Sequence, residues 1–139
     1  MKIDLEKLRE YFADDRFAAA AGIVIDSATE DNVRCSMEIG ALHKNAGGVV
    51  QGGAIFTLAD LCFAVHANLG RLCGADEGIT VGQSCSISFL KSGTGGSLTA
   101  ESTCLSRGRT MSVYRITVKD NLGNAVAEMH GNGFTTRKR

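Results

Sequence analysis

The amino-acid sequence predicts an α+β fold in which one long buried helix is wrapped by a curved antiparallel sheet of five to six strands. Three observations predict it. A helical period opens the chain, a two-residue period recurs in later segments, and between the strand groups lies a stretch, Gly52 to Gly70, that is apolar or small on nearly every face. A helix without a polar face is one that its neighbours cover, whereas an alternating strand buries one face only.

Taken in order, Asp4 to Ala13 places Leu5, Leu8, Tyr11 and Phe12 at helical spacing, with Asp4 as N-cap. A second short helix, Asp15 to Ala21, stops at Gly22, a residue type suited to a helix C-terminus. In Asn32 to Ile39, Val33, Cys35, Met37 and Ile39 alternate with Asn32, Arg34, Ser36 and Glu38, and Ile23 to Ala28 supplies the neighbouring strand. Four further strands are expected at Ile79 to Leu90, Ser97 to Ser106, Thr110 to Lys119 and Ala125 to Phe134. The turn-like links Ser92-Gly93-Thr94-Gly95-Gly96, Arg107-Gly108-Arg109 and 120–124 make these read as an antiparallel meander. Gly52 to Gly70 is then the core helix, with Thr57, Asp60, His66 and Asn68 as its polar residues. A central helix enclosed by a curved antiparallel sheet is the hotdog arrangement. With 17 glycines and no proline, strand bending falls to glycine and bulges.

Length and composition bound the function. At 139 residues the chain is expected to form one domain, residues 1–139, and 44% hydrophobic with 22% charged residues is a globular balance. Fifteen basic and fifteen acidic residues cancel, so no global field favours nucleic acid or an anionic membrane, and an anionic ligand is held locally. Acidic residues at Asp4 and Glu6 interrupt any apolar leader, and no apolar run reaches the roughly 18 residues of a membrane span; the expectation is a cytoplasmic protein. Five cysteines without CxxC pairing fit neither a disulfide framework nor a zinc site and are expected to be reduced thiols, and Cys35 and Cys85 read as buried on strand faces.

Two features carry chemistry. Asp60 stands alone in the apolar helix, where an ionised carboxylate costs several kcal/mol unless paired, or else its pKa rises. It either caps a loop or pairs with an arginine, or serves as a general base or nucleophile. Separately, Gln51-Gly52-Gly53 offers the helix start no Ser, Thr, Asp or Asn, which leaves its first N–H groups free to stabilise negative charge, as an oxyanion hole does. A tight turn with glycine as N-cap explains the same residues. Gly52 and Asp60 are eight residues apart, roughly 12 Å along one helix, too far to act on one carbonyl carbon. If both are catalytic, they come from two subunits across a two-fold interface.

His43-Lys44-Asn45-Ala46-Gly47-Gly48-Val49-Val50-Gln51-Gly52-Gly53-Ala54, followed by Leu58-Ala59-Asp60, resembles the HxNxxGxxHGG…LxD signature of the PaaI-like (phenylacetate-pathway type) hotdog thioesterases. The resemblance extends over essentially the whole chain, including Ser86 to Lys91 and Arg107 to Thr110. It implies an acyl-CoA thioesterase whose coenzyme A is part of the substrate, active as a homodimer or homotetramer on a small-to-medium or aromatic acyl group. It also implies that Asp60 activates water or attacks the thioester, that the Gly52 amide polarises the carbonyl beside Gly53, and that Asn45 helps place water or substrate. Gln51 stands where the family has histidine, so it orients but does not exchange protons near neutral pH. The family's supporting serine or threonine aligns near Gly82, with Gln83 and Ser84 adjacent, and Ser92 stands in the region of a usual proline.

The remaining candidates carry blander readings. His66, roughly 600° of rotation past Asp60, falls on another helix face and reads as a satisfied core or interface histidine, as does His130, while His43 reads as local structure. Lys91, Arg107 and Arg109 are candidates for the coenzyme A phosphates and equally fit ordinary surface charge; Arg137-Lys138-Arg139 reads as a solvated end. Gln51 and the missing support residue motivate an alternative, a non-catalytic or very slow acyl-CoA or lipid-binding protein. Hydration or dehydration of an acyl thioester is a third reading, against which the placement of His66 counts.

Overall fold

The computed structural model describes residues 1–93 and 95–137. Thr94 of the expected 92–96 turn and Lys138 and Arg139 of the basic end lie outside the described residues. The chain runs α1 (Leu5–Phe12), α2 (Arg16–Ala20), β1 (Ile23–Ala28), β2 (Asn32–Glu38), a short 3-10 turn (Ala41–His43), α3 (Gly52–Ala67), α4 (Leu69–Cys73), β3 (Ile79–Phe89), β4 (Ser97–Arg107), β5 (Met111–Asp120) and β6 (Ala125–Thr136). Asp4 caps α1 by accepting from the Lys7 N–H, and Asp15 caps α2 by accepting from the Ala18 N–H. Gly22 then turns the chain with φ +82, the left-handed region that favours glycine. Of the apolar residues of α1, Leu8 is fully buried, while Tyr11 points outward, its ring edge-on to Phe12.

The six strands form one antiparallel sheet in the order β1-β2-β4-β5-β6-β3. Val33, Cys35 and Met37 of β2 face the core, while Arg34 on the opposite face pairs with Glu101 of β4 at 2.6 Å. The expected meander holds for β4, β5 and β6 and fails for β3, which pairs with β6 at the far edge. Both sides of β4 are already taken by β2 and β5. The link 90–96 therefore spans three strand spacings, roughly 14 Å, within the roughly 23 Å that seven extended residues reach. Gly93 in this link lies against Val50 and Leu98, so the crossing passes the start of α3.

Helix α3 packs on β2, β4, β5 and β3, burying Leu58, Ala59, Cys62, Phe63, Val65 and His66. The expectation of burial on nearly every side is corrected here. Gly53, Phe56, Thr57, Asp60, Ala64 and Ala67, which recur at helical spacing, form a stripe that the sheet does not cover, and Asp60 is exposed on it. A single curved sheet closes round one side of a helix only. The helix also ends earlier than Gly70, because the Asn68 amide bonds both the N–H and the carbonyl of Thr80 and leaves the helical conformation.

Two further expectations are corrected by strand phase. In β3 the register shifts between Gly82 and Ser84, so Gln83 is an extra bulged residue. Beyond the bulge Cys85 faces the helix stripe, where no neighbour covers it, and it is exposed rather than buried. In β6, Met129 and Gly131 take the inner face, which leaves His130 exposed on the outer one and removes the core half of its reading.

Candidate functional site

Three groups of candidate residues lie at three levels along α3. At its start, the loop 44–50 is closed by the Asn45 side chain, whose Oδ1 accepts from the Gly47 N–H at 2.9 Å and the Val49 N–H at 3.2 Å. That oxygen is committed to the loop, and the Asn45 Nδ2 bonds no described group. The His43 Nδ1 accepts from the Gly40 N–H and its Nε2 faces the Ala21 carbonyl at 2.6 Å, the local structural part expected of it.

Gln51 precedes the helix with φ −67 and ψ 138, and no side chain caps the helix start. The Ala54 and Ile55 N–H groups both turn to the Gln51 carbonyl, whereas those of Gly52 and Gly53 bond no described group. Two amides at the positive end of the helix dipole thus face outward. The glycines leave room for the side chains around the helix start. A Cβ on Gly53 would stand 2.9 Å from the Gln51 Oε1, and one on Gly52 would stand 3.3 Å from the Phe89 ring. Beside this start an apolar cavity of about 400 Å³ opens between Phe17, Leu42 and Ala54.

One helical level further on, Asp60 shares a hollow of about 230 Å³ with Gly82, Gln83, Ser84 and Cys85. The bulge places Gln83 there. No described group hydrogen-bonds the Asp60 carboxylate. Although the residue is exposed on its outer side, loss of solvent on the others raises its pKa above the ordinary 3.8, and the charge of Asp15 raises it further. The Ser84 hydroxyl accepts from the Asn132 Nδ2 at 3.2 Å, so it is held by β6. The floor of the hollow is Phe63, whose ring lies against Gly82, Gly131 and Gly133; a Cβ on Gly131 would come within 3.2 Å of it.

At the far end, Arg107 lines a separate small polar hollow beside Ala67 and Gly70, with Arg71, Asp76 and Arg137. Its guanidinium donates to the Tyr114 hydroxyl at 3.1 Å. Asp60 and Ala67 are seven residues apart, roughly 10 Å along the axis, so Arg107 stands outside the Asp60 hollow. Arg109 is exposed, its carbonyl accepting from Arg137, and Lys91 is exposed just after β3. The structure thus gathers Asp60 with Gly82, Gln83 and Ser84, places Gln51, Gly52 and Gly53 at the helix start with Asn45 in the loop before it, and keeps Asp60 and Gly52 roughly 12 Å apart on one chain.

Sequence reasoning missed Phe17, Leu42, Phe63, Phe89 and the Arg107–Tyr114 bond. A large apolar residue carries the same signal in a core and in a pocket wall, so nothing in the sequence separated them. Among the described residues, no group of three or more His, Cys, Asp or Glu is placed to hold a metal ion, and no helix is long and apolar enough to cross a membrane.

The sequence model of the family described as the thioesterase superfamily matches residues 47–127, more than half of the chain. The acyl-coenzyme A thioesterase PaaI of Escherichia coli strain K12 is 31% identical over 121 residues, covering 86% of this chain and 82% of that relative. The solved structure of the E. coli PaaI protein, from the phenylacetic acid degradation operon, superposes with a TM-score of 0.83 at 28% identity and covers 96% of each chain. A thioesterase from Haemophilus influenzae superposes with a TM-score of 0.87 over 99% of this chain and 93% of its own, at 21% identity, a likeness of fold.

Proposed function

This chain belongs to the thioesterase superfamily as a PaaI-like hotdog thioester hydrolase, and on that premise we propose that it hydrolyses a small-to-medium or aromatic acyl-CoA to the free acid and coenzyme A. The observation that carries the proposal is the pairing on one helix of an unbonded carboxylate, Asp60, with two unbonded N-terminal amides, at a spacing that one chain cannot use. The site is built from two copies of the chain. Asp60 of one copy faces the Gly52 amide of the other, in a homodimer or in a tetramer made of two such dimers. The uncovered stripe of α3, with Phe56 and Ala64 flanking Asp60, and the unpaired edge of β3 support this pairing.

In the reaction, Asp60 takes a proton from water as the oxygen attacks the thioester carbon, or attacks that carbon itself to form an anhydride that water then opens. The carbonyl oxygen gains the negative charge, and the Gly52 N–H with the helix dipole holds it. Collapse of the tetrahedral intermediate breaks the C–S bond, and coenzyme A leaves as the thiolate. Asn45 and Gln51 orient water or substrate around this centre. Gly53 admits the Gln51 side chain, and Gly82, Gln83 and Ser84 shape the Asp60 hollow. With zero net charge, local cations meet the phosphates, for which Lys91, Arg107 and Arg109 are available. The proposal treats residues 1–139 as one catalytic domain without a resident cofactor.

One observation favours a slow enzyme: Gly82 has no side chain to support Asp60, and no hydrogen bond among the described residues joins Ser84 to its carboxylate. A thiol-release assay over aliphatic and aryl acyl-CoAs tests both readings. Release that vanishes in Asp60→Asn supports hydrolysis at this site; tight binding without release supports the binding-protein alternative.

A further inference from the structure

We propose that the cavity at the start of α3 is the acyl site, and that Phe17 and Leu42 select an uncharged medium-chain or aryl acyl group; this rests on the thioesterase reading above. The cavity of about 400 Å³ adjoins Gln51 and Gly53, within reach of a carbonyl held by the free helix amides, and its carbon lining suits the acyl arm of a thioester better than the amide-bearing pantetheine arm. Roughly 150 Å³ suffices for a benzene ring, so an aryl group or a chain of several methylenes fits, and an acetyl group leaves most of the space unfilled.

The chemistry of the wall fixes the class of occupant. Phe17, Ala20, Ala21, Leu42 and Ala54 contribute carbon surface. Of the polar residues, Thr57 donates its hydroxyl to the Gly53 carbonyl, and both His43 nitrogens are engaged with Gly40 and Ala21. Among the described lining residues, Gln51 and the Gly53 N–H keep donor capacity, both at the carbonyl end, and the Thr57 hydroxyl can still only accept. Among the described residues no Lys or Arg lines the cavity, so an acyl group ending in a carboxylate would lose its hydration without a partner there. Phe17 is 73% exposed and Leu42 75% exposed, and both line the cavity. Two large apolar residues held in water around an apolar hollow beside reactive amides mark a binding site rather than core left over from folding.

The test compares kcat/KM for acetyl-, hexanoyl-, benzoyl- and succinyl-CoA in the wild-type protein and in Phe17→Ala, Leu42→Ala and the cavity-filling Ala20→Phe. Leu122→Ala, an equally exposed residue on the 120–124 turn at 73%, is the control. Each variant is checked by circular dichroism and gel filtration. Wild type is expected to prefer hexanoyl over acetyl by roughly tenfold or more and to reject succinyl. Phe17→Ala, Leu42→Ala and Ala20→Phe are expected to cut that preference about tenfold, and Leu122→Ala to keep it. A preference unchanged in all three variants overturns the assignment, as does dissociation of the assembly by Phe17→Ala, which would make the cavity a subunit contact. Calorimetry with S-hexyl-CoA, a thioether that hydrolysis does not cleave, separates the two claims. If wild type releases no thiol, the thioesterase reading fails by itself, and the acyl site still stands or falls on whether S-hexyl-CoA binds more tightly than CoA and loses that margin in Ala20→Phe.

Discussion

Asp60 and His66 lie six residues apart on the same helix, and the sheet treats them in opposite ways. His66 is 0% exposed, with Nδ1 at 2.9 Å from the Ser102 hydroxyl, Nε2 at 2.8 Å from the Glu30 carbonyl, and its ring beside Tyr114. Asp60 sits on the uncovered stripe with no described hydrogen-bond partner. Burial lowers the pKa of His66, and partial loss of solvent raises that of Asp60. A perturbed titratable group alone therefore does not mark a site. His66 is fully engaged by the fold it stabilises, whereas the carboxylate of Asp60 is left open to a hollow.

Substitutions at the two positions separate their roles. Asp60→Asn is expected to lower thiol release about 10²- to 10⁴-fold while the protein melts at or slightly above the wild-type temperature, since a partly desolvated charge is gone. Turnover within a few-fold of wild type would remove Asp60 from the chemistry. His66→Ala should behave inversely, costing about 3 kcal/mol in a denaturant titration, because it leaves a cavity and unpartnered groups at Ser102 and Glu30. Its activity per folded molecule should persist, and loss of activity without loss of stability would reverse the two roles. Gly131→Ala, which pushes on the Phe63 floor beneath Asp60, should cost roughly 1–3 kcal/mol.

Acidification separates the two residues with opposite signs. The folded pKa of His66 lies below the ordinary 6.5, so between those values the unfolded chain binds more protons. Its contribution to stability is therefore complete above about 6.5 and is lost as the pH falls from there toward the folded value, which melting curves across that window will read. Asp60 has a folded pKa above 3.8, so its acid limb in thiol release lies above 3.8 and vanishes with Asp60→Asn. Gln51 contributes no limb. Gln51→His should add one near 6.5, the smallest of these effects.

Much of the fold was legible because period carries it. The alternation of Val33, Cys35 and Met37 and the even apolarity of Leu58 to Val65 reported strand and helix, and the Asp4 and Asp15 caps behaved as their residue types dictate. The place of β3 was not legible, since alternation gives a strand its faces and says nothing of which neighbour it joins. The bulge at Gln83 likewise has no residue type of its own, and it changed the phase that had made Cys85 read as buried. Of the site, the unusual helix start and the solitary Asp60 could be read, because each breaks a local rule. The uncovered stripe could not, because residues such as Phe56 and Ala64 look the same whether a sheet or a second copy of the chain covers them.

The central claim is that one active site takes its carboxylate and its amide from different subunits, and mixed assemblies test it most directly. Gly52→Pro removes the N–H at the first helical position, where proline is tolerated, and Gln51 already has the extended conformation that precedes proline. Gly52→Pro and Asp60→Asn should each be inactive alone. After co-refolding in equal amounts, half the dimers are mixed and each carries one intact site in two, so about a quarter of the wild-type activity should return. A mixture no more active than the two variants measured apart would contradict the shared site.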